Sequence, residues 1–252
     1  MSSPFLFTNF RKISAVKIIA WNCNMAYRKK AAFILQHHPD IVVVPECEHP
    51  DKLKFGAGVP APTDMIWYGQ NPNKGLGVFS YSKYELELLE LHEPAIKTIL
   101  PILVKKGRQR FILLAIWAYN LEDKDYVYNG QIWKALHQYE SLLNEKNVIL
   151  AGDFNSNVFW DKPNKRTNHS MIVEKLSQHR IYSAYHTFFD LADGQEEHPT
   201  YFLYRHKDKP YHIDYCFASA RLIKKMDSVE VGTYEDWSMH SDHKPVIVNF
   251  KI

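Results

Sequence analysis

The sequence predicts a mixed α/β domain in which two sheets pack together and helices lie outside them. Residues 41–44 (Ile-Val-Val-Val) and 147–151 (Asn-Val-Ile-Leu-Ala) are nearly continuous apolar runs, the pattern of strands covered on both faces. Strand-like segments outnumber helical ones. No linker, repeat or low-complexity stretch divides the 252 residues, so 1–252 is read as one domain.

Taken in order, 16–21 reads as a buried strand, 27–38 as a helix ended by Pro39, and 41–44 as a central strand. The stretch 51–73 is rich in Pro, Gly and Asn and reads as loop. Segments 76–81, 84–91, 98–104 and 110–117 then follow as strands. Over 125–146, Ile132, Leu136, Tyr139 and Leu143 share one helical face. After the strand at 147–151, Ile172 and Leu176 mark a shorter helix over 171–179. Four more strands are expected at 200–204, 212–218, 229–232 and 246–250.

The chain is 46% hydrophobic, enough for a sizeable core and too much for disorder. A net charge of +3 is compatible with a polyanionic substrate without requiring one. Cys23, Cys47 and Cys216 form no CxxC pair and lie in or beside strands, as reduced core thiols of a cytosolic protein would. No apolar run is long enough for a signal peptide or a membrane span, so no membrane partner is expected. Gly-x-Ser-x-Gly and P-loop patterns are absent, which argues against acyl transfer and nucleoside-triphosphate motors.

Chemistry-bearing residues recur where strands begin or end. Glu46 follows the apolar run 41–45, Gly152-Asp153-Phe154-Asn155 follows 148–150, and Asp214 lies in His212-Ile213-Asp214-Tyr215. Ser241-Asp242-His243 precedes the run Val246-Ile247-Val248. Alone, each has an ordinary reading: a Gly-Asp after a strand is usually a turn, and Asp242-His243 suits a cap. Together they suggest one acidic site at one rim of a sheet, suited to a hard divalent cation and hydrolysis of a phosphate ester.

Trp21-Asn22, Pro45-Glu46, Gly152-Asp153-Phe154-Asn155, Ile213-Asp214-Tyr215 and Ser241-Asp242-His243 occur here in the order found in the endonuclease/exonuclease/phosphatase superfamily, which the chain resembles over residues 16–250. DNase I-like nucleases, exonuclease III-type repair enzymes, inositol-phosphate phosphatases and sphingomyelinases belong to it. The resemblance implies a four-layer α/β/β/α sandwich and hydrolysis of phosphoesters with Mg²⁺ or Mn²⁺. It makes Glu46 the principal metal ligand with Asn22 beside it and Asp242 opposite. Asp153 would orient or deprotonate water, Asn155 would hold the phosphate, and His243 would meet the scissile phosphate with Asp214 behind it. Two positions depart from the family: Trp117 stands where a Tyr or His is usual, and Asn24 where repair-type members often have Asp. Tyr119 or Asn120 is a possible substitute for the first.

Substrate contacts are expected from Asn24, Trp117, Asn120, Asn157, Phe202, Arg205 and His212. Basic residues cluster at 28–30, 105–110, 162–166 and 205–209; solvated faces explain most such runs. The run Phe202-Leu203-Tyr204-Arg205-His206-Lys207 mixes aromatic and basic residues, as a surface stacking on a nucleic-acid strand would, or an ordinary hairpin. Trp160 is read as a rim aromatic or a core residue, and His37-His38 as surface residues at a helix end. The expectation is a monomeric nuclease acting on DNA. A small-molecule or lipid-headgroup phosphoesterase and a non-catalytic nucleic-acid-binding relative are the alternatives.

Overall fold

The computed structural model describes residues 15–93, 96, 98–119 and 128–251. Asn120, the start of the helix expected from 125 and the N-terminal Phe5-Leu6-Phe7 lie outside them.

The strands of one sheet are β1 (Ala15–Ala20), β2 (Ile41–Cys47), β3 (Asp64–Asn71), β4 (Lys74–Ser80), β13 (Met226–Val231) and β14 (Val246–Lys251), in the order β13-β14-β1-β2-β4-β3. The other holds β5 (Glu85–Leu88), β6 (Ile99–Lys106), β7 (Gln109–Trp117), β8 (Val148–Asp153), β9 (Ile181–Ser183) and β12 (Asp214–Ser219), in the order β5-β6-β7-β8-β12-β9. A two-stranded ribbon, β10 (Tyr201–Phe202) and β11 (Pro210–Tyr211), lies apart. The helices are α1 (Ala31–Leu35), α2 (Asn129–Gln138), α3 (Glu140–Leu143), α4 (His169–Gln178), α5 (Ala184–Phe189), α6 (Ala220–Ile223) and α7 (Tyr234–Trp237).

Alternation along each strand explains the layering. Ile18 and Ala20 of β1 face Ile149 and Ala151 of β8 in the core between the sheets. Their neighbours point the other way: Ile19 and Trp21 meet Ala31, Ile34 and Trp237, while Val148 and Leu150 meet Ile132, Leu136 and Leu176. Each central strand is thus apolar on both faces because it serves two cores, the four-layer α/β/β/α arrangement.

The structure corrects several boundaries. The expected loop 51–73 contains edge strand β3, whose mostly half-exposed residues carry no alternation strong enough to announce it. The helix expected over 27–38 shrinks to a 3₁₀ turn at Tyr27–Lys29 and α1, because Asn24, Met25 and Ala26 are all left-handed and Lys30 breaks the turn from the helix. Tyr139 interrupts the long helix between α2 and α3, yet Ile132, Leu136, Tyr139 and Leu143 keep one buried face. The strand expected over 200–204 ends at Phe202 and turns into a 3₁₀ segment. All three cysteines are free and buried, and burial pushes their thiols up. Among the described residues no helix is long and apolar enough to cross a membrane.

Gly152 shows how tightly the site's support is packed. Its φ is +142° and a Cβ there would sit 1.9 Å from the Ile116 carbonyl oxygen on the neighbouring strand. Gly152→Ala is therefore expected to destabilise the fold by about 3 kcal/mol or more, from backbone strain and a contact no side chain can yield. A thermal melt should show a drop of about 6 °C or more; an unchanged melting temperature would contradict the assigned backbone.

Candidate active site

Strand direction brings the sequence motifs to one rim. β1 runs parallel to β2 and antiparallel to β14, so Asn22, Glu46 and Asp242-His243 share one edge of the first sheet. In the second sheet β7 is parallel to β8 and β12 antiparallel to it, and Trp117, Asp153 and Asp214 are aligned across the three strands. Two side-chain contacts join the edges: Asn22 Nδ2 donates to Asp153 Oδ2 at 2.9 Å, and His243 Nδ1 lies 2.8 Å from Asp214 Oδ2.

Local backbone aims these groups. A bulge between Pro45 and Cys47 leaves Glu46 with φ +61°, turning its carboxylate out of the strand's regular alternation. Asn24 (φ +49°) and Asn155 (φ +47°) are left-handed too, so three site residues hold a conformation L side chains rarely adopt. The buried Glu48 carboxylate accepts the Tyr27 and Arg28 N–H groups at 2.6 and 3.1 Å and pairs with the Arg28 guanidinium, anchoring the loop that carries Asn22 and Asn24. The 200–202 segment bonds along 242–244, with Phe202 N–H donating to Asp242 O and Lys244 N–H to Thr200 O.

Electrostatics centre on His243. Burial would push the ring down, but Asp214 and Asp153 together outweigh it and raise it to about 10. Asp214 is fully buried and at hydrogen-bond distance from Nδ1, which fixes the ring orientation. Nε2 stands 3.9 Å from Asp153 Oδ2. That gap is too long for a hydrogen bond, but an oxygen ~2.8 Å from each could touch both. Burial, with Asp214 adding, pushes the Asp153 carboxyl up to about 8. Its carboxylate accepts from Asn22 Nδ2 and from Asn155 N–H and Nδ2.

Asp153, Asp214 and His243 form one cluster whose ligand atoms could hold a metal, lying within 4.8 Å of one another. They are fully or nearly buried and engaged with one another, so the half-buried carboxylates of Glu46 and Asp242 suit a hydrated hard cation better. Burial, with the charges of Asp242, Asp153 and Glu46 adding, raises the Tyr201 hydroxyl to about 12. Three carboxylates that all act on one hydroxyl call for positive charge nearby. The Lys74 ammonium stands 3.1 Å from Glu46 Oε1, where it acts as a stand-in cation. The residues present therefore fit a divalent ion.

The profile of the Endonuclease/Exonuclease/phosphatase family matches residues 19–236. The chain belongs to this family. No curated protein matches the sequence. Among solved structures, an AP endonuclease from Archaeoglobus fulgidus is 16% identical, with 94% of this chain and 100% of that one covered at a TM-score of 0.66. Truncated Caenorhabditis elegans TDP2 is 14% identical, covering 94% and 98% at 0.65. The 3' phosphatase NExo from Neisseria, bound to a product DNA hairpin, is 18% identical, covering 94% and 100% at 0.63. At these identities the likeness establishes the fold.

Within this family fold, several expected substrate contacts are turned to internal work. Asn157 is buried: its Nδ2 donates to Glu196, His212 O and the Tyr215 hydroxyl, and its oxygen caps Phe159 N–H. His212 is 3% exposed, and burial pushes its ring down to about 4. Phe202 is buried beneath the Lys244 ammonium, 4.8 Å from its ring centre, and is closed to a base. Asn24 holds the Asp242 carboxylate, donating from Nδ2 to Oδ1 at 2.8 Å. Trp117 is buried and stacked on Tyr119 with centroids 4.4 Å apart. Arg205 is exposed, next to Tyr204 at 77% exposure. Trp160 is half-buried and packs on Tyr211, whereas its neighbour Phe159 is 77% exposed.

Sequence reasoning missed Lys74 and Tyr201. Lys74, at the start of β4, reaches Glu46 on the paired strand β2, and Tyr201 lies against the His243 ring at 4.6 Å between centroids. Neither sits in a motif; only strand pairing brings them in.

Proposed function

We propose that this protein is a divalent-metal-dependent phosphoesterase, a nuclease that hydrolyses phosphodiester bonds in DNA. The observation that carries the reading is the His243 imidazole held by Asp214 at 2.8 Å, with Nε2 toward Asp153 across a gap that admits an oxygen. Glu46, Asn22 and Asp242 would hold Mg²⁺ or Mn²⁺. When bound, the ion neutralises phosphate charge and polarises the P–O bond. His243, cationic at neutral pH, donates from Nε2 to a phosphate oxygen and stabilises charge as it develops. Asp214 fixes the ring orientation so that Nε2 points outward. Asp153 accepts the proton of the attacking water, a role suited to a carboxylate raised toward neutrality. Asn155 positions that carboxylate, and would hold the phosphate by turning its amide from the Ala118 carbonyl.

A polynucleotide is favoured by the rim beside Asp242. Arg205 acts electrostatically on Lys30, His240 and Lys244, so basic groups gather there, and Tyr204 and Met239, neighbours of Arg205 and His240 in the chain, project with 77% and 81% exposure. Fold likeness to an AP endonuclease and to a DNA-bound 3' phosphatase agrees with this substrate class. A small phosphodiester is the second reading, supported by a cavity of about 240 Å³ lined by Tyr68, Trp117, Tyr119 and Lys74, the partner of Glu46.

A substrate panel with Mg²⁺ or Mn²⁺ separates the two: duplex, abasic and single-stranded DNA, RNA, inositol phosphates and sphingomyelin. Cleavage of DNA above all others is expected; turnover confined to the small esters would replace the nuclease reading. Arg205→Ala sharpens the test. It should weaken DNA binding and lower its salt dependence by about one released counterion. Lys207→Ala should do little, since Lys207 is paired with Glu235 and lies over Tyr234. Turnover of bis-p-nitrophenyl phosphate should be unchanged in both. Equal loss on DNA and on the small diester would count against a polynucleotide groove.

A further inference from the structure

We infer that His186, Asp193 and Glu196, completed by His212, form a second divalent-metal site of the zinc class, separate from the proposed catalytic one. His186 Nε2 lies 3.1 Å from Glu196 Oε1 and 3.6 Å from Asp193 Oδ1, and the three ligand atoms fall within 4.8 Å of one another. Two ligand atoms on a tetrahedral zinc ion, with bonds of roughly 2.0–2.1 Å, are about 3.4 Å apart. These three therefore need little movement to close on an ion, and His212, outside that spacing, would turn in to meet it.

An internal ion pair would show the same spacing, so the independent observation is His212. Its Nδ1 is 2.8 Å from the carbonyl oxygen of His198, which only accepts, so Nδ1 carries the proton. In the neutral ring Nε2 is then a bare lone pair. That atom is buried and has no hydrogen-bond partner. The His212 ring centre is 6.2 Å from that of His186, and Glu196 is the leading charge that acts on it. A buried acceptor left unmet is costly. A histidine that donates one nitrogen to a backbone carbonyl and leaves the other bare is prepared as a metal ligand.

The surrounding contacts hold the ligands as outer-shell groups do. His186 Nδ1 is 2.8 Å from Ser183 Oγ, and Glu196 Oε1 accepts from Asn157 Nδ2 at 3.0 Å and Gly194 N–H at 3.2 Å. Two imidazoles with two carboxylates suit Zn²⁺ better than Mg²⁺, which prefers oxygen ligands and retained water. The ion would tie α5 and the 193–196 loop to the segment entering β12, two residues before Asp214. Its role is to brace the strand that positions the His243 partner.

The test uses chelator-stripped full-length protein and ZnCl₂ alone, in a Glu46→Gln, Asp242→Asn background that removes the other proposed site. Calorimetry should find one ion per chain. At hundredfold excess over Kd the melting temperature should rise by about 5–10 °C. Cobalt should give the visible absorption of a tetrahedral centre. Glu196→Gln and His186→Ala should abolish uptake. Asp193→Asn, at an exposed position where folding is not at stake, should weaken it at least tenfold. No uptake, or uptake that Asp193→Asn and Glu196→Gln leave unchanged, overturns the proposal.

Discussion

Glu46→Gln is expected to cut hydrolysis of a DNA phosphodiester by about 10²–10³-fold at ordinary Mg²⁺, the range for losing one preorganised charge at a reacting centre. Gln keeps the volume of the side chain and removes its charge. Glu46 is the one acidic group at the rim held by a bulge and a left-handed backbone, and its balancing partner is the mobile-ended Lys74 ammonium 3.1 Å away. A lysine can swing aside as an ion enters; a buried partner cannot. Because the loss is in affinity for the ion, excess Mg²⁺ should restore part of the rate. Initial rates measured across a Mg²⁺ titration check this. An unchanged rate with an unchanged metal midpoint would remove Glu46 from the site.

The second large effect belongs to the Asp214–His243 pair. Asp214→Asn replaces a charged acceptor with a neutral amide, and the His243 ring loses both its charge partner and the contact that fixes its orientation. His243→Ala removes the donor itself. Each should lower the rate by about 10²-fold or more. The double variant should be little worse than either, because the two residues act as a unit. Removing one member of a buried pair also costs stability, about 3–5 kcal/mol where a charge is stranded. Rates should therefore be referred to the folded fraction measured by circular dichroism. Losses that multiply would show that the two act independently.

Much of the fold is legible in the sequence because both sheets are covered on both faces. Strands such as 41–44 and 148–150 carry apolar residues at every position and need no partner to be recognised. β3 escapes because an exposed edge strand bordered by Pro, Gly and Asn looks like loop until β4 pairs with it. The helix after Asn22 is overextended because composition does not reveal three successive left-handed residues. At the site, Asn22, Glu46, Asp153, Asp214, Asp242 and His243 are readable since each adjoins a strand end, and parallel and antiparallel pairing gathers those ends. Asn157 and His212 are a different case. They stand beside the motifs, but the side chains point into a packed polar interior that sequence order does not encode. Lys74 and Tyr201 arrive through space, from a hairpin and a two-stranded ribbon, and no local pattern marks them.

The central claim is that one rim, built from both sheet edges, performs metal-dependent phosphodiester hydrolysis. Its most direct test is the cleavage rate of an end-labelled DNA strand by exhaustively EDTA-treated protein, before and after addition of Mg²⁺ or Mn²⁺, with His243→Ala alongside. The account predicts no cleavage without metal, cleavage restored by either ion, and a rate lower by about 10²-fold or more in the variant at the same metal concentration. Full activity in the metal-free protein, or metal-restored cleavage equal in the wild type and His243→Ala, would contradict it.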